Sequence, residues 1–89
     1  MPVKFQIGRT VITPGALKAI SESTIQQSIS RHLTGDWGDV CPEDARANEH
    51  ALGEYARLLS VYHDGSGTKF WIITEADRSV TTILLPNEY

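Results

Sequence analysis

Two apolar, β-branched runs near the end of the chain constrain the fold more than any other feature. Residues 70–74 and 80–85 are rich in Phe, Trp, Ile, Val and Thr, and the polar segment 75–79 separates them. Such side chains suit a pleated, half-buried surface, so the pattern predicts a β-hairpin. Large apolar groups alternate onto both faces of each run, which predicts a central strand pair with at least one covered face. The side chains that we expect to be buried are Trp71 or Phe70, Ile72, Ile73, Ile83 and Leu84.

Helix-start signals precede this hairpin. Thr13 followed by Pro14 can cap and open a short helix. Ser23 begins a segment with the spacing of a capping box, and Gly35 is well placed to end the second helix in a left-handed conformation. Pro42 suits the first position of a third helix, whose end we expect near a glycine at position 53. The stretch between Thr13 and the hairpin is therefore predicted to contain three helices.

Two further strands complete the expected fold. Val3–Ile7 alternates apolar and polar residues, and Val11–Ile12 can continue this strand after a bend at Gly8. Leu58–Tyr62 is followed by the turn-forming segment His63–Thr68. The predicted order is β-α-α-α-β-β-β. This order indicates an α+β fold with an antiparallel sheet and helices packed on one face.

The length of the chain and its cysteine content set limits on its class. The 89 residues are enough for a single domain, residues 1–89, which buries roughly 60–65% of its unfolded surface. Cys41 is the only cysteine, so no internal disulfide can form, and a lone thiol fits a reducing compartment. No apolar run reaches signal-peptide or membrane-span length. We expect a cytoplasmic protein without a membrane segment; the oligomeric state and the role of Cys41 stay open.

Charge is distributed unevenly along the chain. The net charge is −3, which argues against direct binding to a nucleic-acid backbone. Residues 36–54 hold six acidic residues and one basic residue, Arg46, for a net charge of −5. The six are Asp36, Asp39, Glu43, Asp44, Glu49 and Glu54. They predict either a surface for a basic protein partner or a solvated helix face with carboxylates favourably placed at its N-terminus.

The segment from Asp36 to Asp39 combines a large ring with two carboxylates. Trp37 either packs into the core or stays exposed as an aromatic anchor, and we favour the core. The candidate binding residues are Asp36, Trp37, Asp39, Glu43 and Asp44. Two carboxylates on a loop could share a divalent cation, but no calcium-loop pattern or histidine pair accompanies them, so we expect no metal. No phosphate-cradling glycine loop occurs either, and we expect no cofactor.

His32 and His63 are the candidate catalytic residues of an alternative interpretation. An imidazole with a pKa near 6.5 can carry the protons in metal-independent RNA cleavage. Cys41 lacks a convincing histidine or asparagine partner for a nucleophilic role. The alternative to a binding protein is thus a small ribonuclease toxin that uses a histidine as acid or base.

Three stretches carry a family resemblance. They are ITPGAL (Ile12–Leu17), RHLTGDWGDV followed by PED (within Arg31–Asp44), and WIITEADRSVTTILLPNEY (Trp71–Tyr89). Together they resemble a family of short "plasmid-related" proteins from bacterial plasmids and integrated mobile elements. The resemblance implies a mobile-element setting and no particular activity. The order of elements is also similar to the toxin-like ribonucleases of the barnase and RelE type. The acidic segment 36–54, the lack of a convincing catalytic constellation and the plasmid-related resemblance together lead us to expect a non-enzymatic accessory protein. We expect it to bind a host or element-encoded protein.

Overall fold

Three helices pack against one face of a four-stranded sheet in the computed structural model, which describes residues 2–89. In chain order the elements are β1 (Arg9–Ile12), α1 (Pro14–Ala19), α2 (Glu22–Leu33), α3 (Pro42–Glu54), β2 (Leu58–His63), β3 (Lys69–Thr74), β4 (Val80–Leu84) and a final 3-10 helix (Pro86–Glu88). The α+β class and the order of strands and helices are confirmed.

The last three strands form two antiparallel hairpins, as the sequence predicts, in a sheet with the strand order β1-β4-β3-β2. The expectation of a wholly antiparallel sheet is wrong for β1, which runs parallel to β4 with Val11 opposite Thr82. Parallel neighbours need a long connection, and the three helices together with the β2–β3 hairpin supply it here. The sheet is therefore mixed, with β1 and β2 at its edges.

The first strand contains Val11 and Ile12, the expected continuation after the bend, but not the Val3–Ile7 segment that precedes it. Gly8 bends the chain with a φ of 67°, and a Cβ at this position would lie 2.4 Å from the carbonyl oxygen of Arg78. The residues before the bend run beside α2, where the N–H of Lys4 donates to the carbonyl oxygen of Leu33 at 2.8 Å. The expected strand over these residues is wrong because the segment packs against a helix instead of joining the sheet.

The helix-facing side of the sheet forms the main core. Three strand side chains are completely buried there and belong to one cluster with Ala16 and Ile25 from α1 and α2. The three are Phe70, Ile72 and Ile83. On the opposite face Ile73 and Leu84 are also buried, while Trp71 is half-buried. The predicted burial of this hairpin is confirmed, and each such side chain contributes roughly 1.5–3 kcal/mol of transfer free energy.

The helix boundaries follow local signals, with one of them displaced. Thr13 caps α1 and Pro14 opens it, as predicted. The N-cap of α2 is Ser21 rather than Ser23, because the Ser21 hydroxyl accepts a hydrogen bond from a backbone N–H of the first turn at 3.3 Å. Gly35 follows the end of α2 with a φ of 84°, as predicted. Within residues 2–89, none of the helices has the length and apolar character needed to cross a bilayer.

Arg78, in the turn between β3 and β4, holds the C-terminus of α3. Its side chain is almost buried, and the guanidinium donates to the carbonyl oxygens of Ala51 at 2.7 Å and Ala56 at 2.6 Å. A positive charge is stabilising at this end of a helix because the last carbonyl groups carry partial negative charge. The helix ends one residue after the predicted Gly53, and Tyr55 closes it in a left-handed conformation. Arg78 thereby fixes a helix to a turn 27 residues further along the chain.

Candidate functional site

The loop that follows α2 is joined to the outer edge of β2. The N–H of Val61 donates to the carbonyl oxygen of Trp37 at 3.0 Å, and the N–H of Asp39 donates to the carbonyl oxygen of Val61 at 2.7 Å. Gly38 lies between them with a φ of 73°, and a Cβ there would be 2.1 Å from the Val61 oxygen. Only glycine fits such a contact. The two aspartates of the loop therefore flank a point of the backbone that is fixed to the sheet.

Trp37 packs into the core beneath this loop. The side chain is 5% exposed, lies in a stacked arrangement with Phe5 at 6.3 Å, and meets the ring of His32 edge-on at 5.7 Å. Its indole N–H donates to the carboxylate of Glu49 at 2.9 Å. This is the geometry expected of a structural role, so the structure removes Trp37 from the candidate contact residues. The reason is the bond pair to β2, which holds the loop flat on the sheet edge with the ring directed inward.

Asp36 is engaged in an internal ion pair. Its carboxylate accepts two hydrogen bonds from the Arg31 guanidinium, at 2.7 and 3.2 Å, and this pairing lowers the pKa of Asp36. The same guanidinium lies 4.6 Å from the centre of the Tyr62 ring, and the Tyr62 hydroxyl donates to the backbone oxygen of Asp36 at 2.6 Å. Burial raises the pKa of Tyr62 to about 12, so its hydroxyl keeps the donated proton at neutral pH. The sequence pointed to Asp36 as a binding residue, and to Arg31 and Tyr62 only as companions of the histidines in the ribonuclease interpretation; it did not predict that these two pair with Asp36.

Asp39 and His63 meet at the surface. The carboxylate of Asp39 lies 3.1 Å from Nδ1 of His63, and their side chains are 74% and 41% exposed, respectively. Together with the Arg31–Asp36 pair and Tyr62 they line a shallow cleft of about 300 Å³. The structure thus brings one candidate catalytic histidine next to a candidate binding carboxylate, although 24 residues separate them in the sequence.

Glu43 and Asp44 lie in the first turn of α3, where the sequence placed them. Both are exposed, and neither forms an ion pair with another residue in the described range. The N-cap of this helix, Cys41, makes no side-chain capping bond, and the two carboxylates lie close to the positive end of the helix. No group of three or more metal-ligating side chains that could hold a metal ion occurs among residues 2–89.

His32, the other candidate catalytic residue, is completely buried behind the loop. Its Nδ1 lies 2.5 Å from the hydroxyl of Ser60, and its Nε2 lies 2.9 Å from the hydroxyl of Thr74. The Thr74 hydroxyl is 2.8 Å from that of Thr81, which donates to the backbone oxygen of Ile7 at 2.7 Å. We call this set of bonds the core hydrogen-bond chain. It joins α2 to β2, β3, β4 and the N-terminal segment.

The last bond of this chain fixes the direction of all the others. A carbonyl oxygen can only accept, so Thr81 donates its single hydroxyl proton to the carbonyl oxygen of Ile7. The Thr81 hydroxyl must therefore accept a hydrogen bond from Thr74. Thr74 has then donated its own proton, so Nε2 of His32 must carry a hydrogen and donate to it. Because the ring is neutral at pH ~7, with a pKa of about 4, Nδ1 is then the acceptor and Ser60 donates to it. His32 is held as the neutral imidazole with the proton on Nε2.

The surroundings of His32 oppose its protonation. Burial, and secondly the positive charge of Arg78, lower the pKa of His32 from 6.5 to about 4. A neutral ring with both nitrogens hydrogen-bonded inside the core cannot reach a substrate, so His32 does not carry the proton transfer that the sequence left open for it. The hydrogen-bond partners of His32 were not identified from the sequence. The available signal was the presence of polar residues at inward-facing positions of otherwise apolar strands. These partners are Ser60, Thr74 and Thr81.

Comparison of the chain with known proteins found no similar sequence or fold. No family model matches the chain, no curated protein shows significant similarity to it, and no solved structure shows significant similarity to its fold.

The buried histidine predicts how stability depends on pH. His32 has a pKa of about 4 in the folded chain against 6.5 as its ordinary value, so between these values the unfolded chain binds more protons. The free energy of unfolding should therefore decrease as the pH falls, by about 2 kcal/mol between pH ~7.5 and ~5. Urea unfolding of the wild type and of His32→Gln should separate this contribution, because the variant has no imidazole to titrate. The exposed-histidine variant His50→Gln is the control and should keep the decrease. An equal pH dependence in His32→Gln and the wild type would contradict the assignment.

Proposed function

We propose that this chain is a binding domain rather than an enzyme. In this proposal it is a cytoplasmic accessory protein of a bacterial mobile element and recognises a basic surface on a host or element-encoded protein. The contact region, which we call the acidic surface, consists of Asp36, Asp39, Glu43 and Asp44. A protein of a defence or nucleic-acid-handling system is the partner class we favour, because such proteins carry basic grooves for nucleic acid.

The observation that carries this proposal is a set of exposed carboxylates on a rigid support. Gly38 and its neighbours are bonded to β2, Trp37 anchors the loop from below, and α3 begins three residues after Asp39. A contact surface that is ordered before binding loses less conformational entropy when a partner docks. Since Arg31 already neutralises Asp36, most of the attraction would come from Asp39 and the first turn of α3.

The mobile-element setting rests on the sequence resemblance described above. One of the three stretches that carry it, Arg31–Asp44, contains the whole acidic surface and the arginine that supports it. The overlap makes this surface the natural place to look for the shared function.

Charge neutralisation tests the acidic surface. The double variant Glu43→Gln/Asp44→Asn should lose partners that the wild type captures from a bacterial lysate at low salt, and high salt should weaken the wild-type capture as well. A matched control removes two negative charges elsewhere: Glu22→Gln lies in the first turn of α2, and Glu54→Gln lies at the far end of α3. The control should capture the same proteins as the wild type. The proposal would be contradicted if both double variants captured the same proteins as the wild type.

A second candidate, a metal-independent ribonuclease, is favoured by the contact between Asp39 and His63. A carboxylate on Nδ1 orients an imidazole so that Nε2 can exchange a proton with a substrate, and His63 is exposed in a cleft that also holds Arg31. The negative net charge and the prior engagement of Arg31 by Asp36 oppose RNA binding, so this function ranks second.

RNA cleavage in the presence of a metal chelator tests the second candidate. If it holds, the wild type should degrade RNA, and His63→Ala should lower the rate by roughly 10²–10⁴-fold because proton transfer is lost. His50→Ala, on α3 and outside the cleft, should retain the activity. RNA left intact by a high concentration of the wild type would eliminate this candidate.

A further inference from the structure

The two edge strands of the sheet differ in whether their outward backbone groups are hydrogen-bonded. On β2, the side-chain amide of Asn48 donates to the carbonyl oxygen of Leu59 at 2.7 Å and accepts from its N–H at 3.1 Å. The next outward-facing residue, Val61, is bonded to the loop at Gly38 in the same two-way manner. Exposed edges pair readily with other strands, and these contacts block that pairing on β2.

The edge formed by β1 has no such cover. The N–H groups of Arg9 and Thr13 point inward, to the carbonyl oxygens of Ser79 and Ile83 on the β4 side, at 2.9 and 3.0 Å. Alternation along the strand therefore turns the backbone groups of Thr10 and Ile12 outward. Among residues 2–89, no side chain or loop is bonded to these outward groups.

An apolar groove adjoins this open edge. It has a volume of about 340 Å³ and lies between β1, α1 and α2. Leu17 on its rim is 64% exposed, so the apolar lining of the groove continues onto the surface. Its apolar lining residues are Ile12, Leu17, Ile20, Ile25 and Ile29.

We propose that β1 pairs with β1 of a second copy of this chain, antiparallel and across a two-fold axis perpendicular to the sheet. This axis keeps the helices of both copies on the same side, so residues that face the helices must lie opposite each other. Among the registers that meet this condition, the one that pairs every outward backbone group of the strand places Val11 opposite Val11 of the second copy and Thr10 opposite Ile12. Because the outward groups belong to Thr10 and Ile12, the two copies exchange four backbone hydrogen bonds and form one eight-stranded sheet.

The sequence of β1 fits this self-pairing better than pairing with an unrelated strand. Thr10, Val11 and Ile12 are all β-branched, and no charged residue in them opposes association, as a charge on a protected edge would. The one charged residue of the strand, Arg9, lies opposite Thr13 and not opposite itself. A foreign strand could form the same four backbone bonds with this four-residue strand, but only a second copy brings another such apolar groove, with its exposed Leu17, to the same seam.

Opposite charges at the axis provide the sharpest test. Only residue 11 faces its own copy, so Val11→Lys and Val11→Glu should each raise the dissociation constant of the dimer about tenfold. An equimolar mixture of these two variants should restore the dimer as a Lys–Glu pair. Sedimentation velocity over a concentration series, with the 9.8 kDa chain as the unit, measures this directly.

Two further variants separate the edge from the rest of the sheet. Thr10→Pro removes one outward N–H and no bond to β4, so it should fold and remain a monomer. Thr82→Lys places a charge next to Val11 on the same face but one strand further from the axis, and it should still form the dimer. A monomeric wild type at high concentration overturns the proposal, and so does a dimer that persists in both single-charge variants and is not strengthened in their mixture.

Discussion

The core hydrogen-bond chain is the constraint on which the rest of this structure depends. Five groups in the interior, from Ser60 through His32 to the carbonyl oxygen of Ile7, satisfy one another in a single direction. A buried polar group left without a partner costs roughly 1–3 kcal/mol, so the chain is stabilising only when every member is in place. These bonds together specify the register of three strands, the position of α2 and the path of the N-terminal segment.

The exposed surface is coupled to this interior through one ring contact. Trp37 meets His32 edge-on and stacks with Phe5, so the loop above it is fixed by the same packing that keeps the histidine neutral. The loop that carries Asp36 and Asp39 is therefore held in place by the core. Together with Asn48 of α3, the same loop covers the edge of β2. The open edge of β1 lies at the other side of the sheet, so the proposed partner binding and the proposed self-association would not compete for the same surface.

Local patterns in the sequence predicted local features and failed where distant residues decide. Alternating β-branched residues identified the hairpin, and Pro14 and Pro42 located two helix starts, because these signals act within a few residues. The partners of His32 lie 28 and 42 residues away, and Arg78 bonds a helix 27 residues away, so no spacing rule could reveal them. The alternation before Gly8 does not belong to a strand: Phe5 and Ile7 are half-buried, whereas Val3 is 62% exposed. Of the candidate site, Asp39, Glu43 and Asp44 remained on the surface, while Trp37 and His32 became part of the core.

The tautomer of His32 tests the central claim most directly. Long-range ¹H–¹⁵N NMR correlations distinguish a ring nitrogen that carries hydrogen from one that accepts a hydrogen bond. The account predicts that His32 keeps its proton on Nε2, with Nδ1 unprotonated, and that this pattern persists from neutral pH down to about pH 5, well below the ordinary pKa of 6.5. A proton on Nδ1, or a doubly protonated ring at pH ~6, would contradict the direction of the core hydrogen-bond chain and with it the account of this fold.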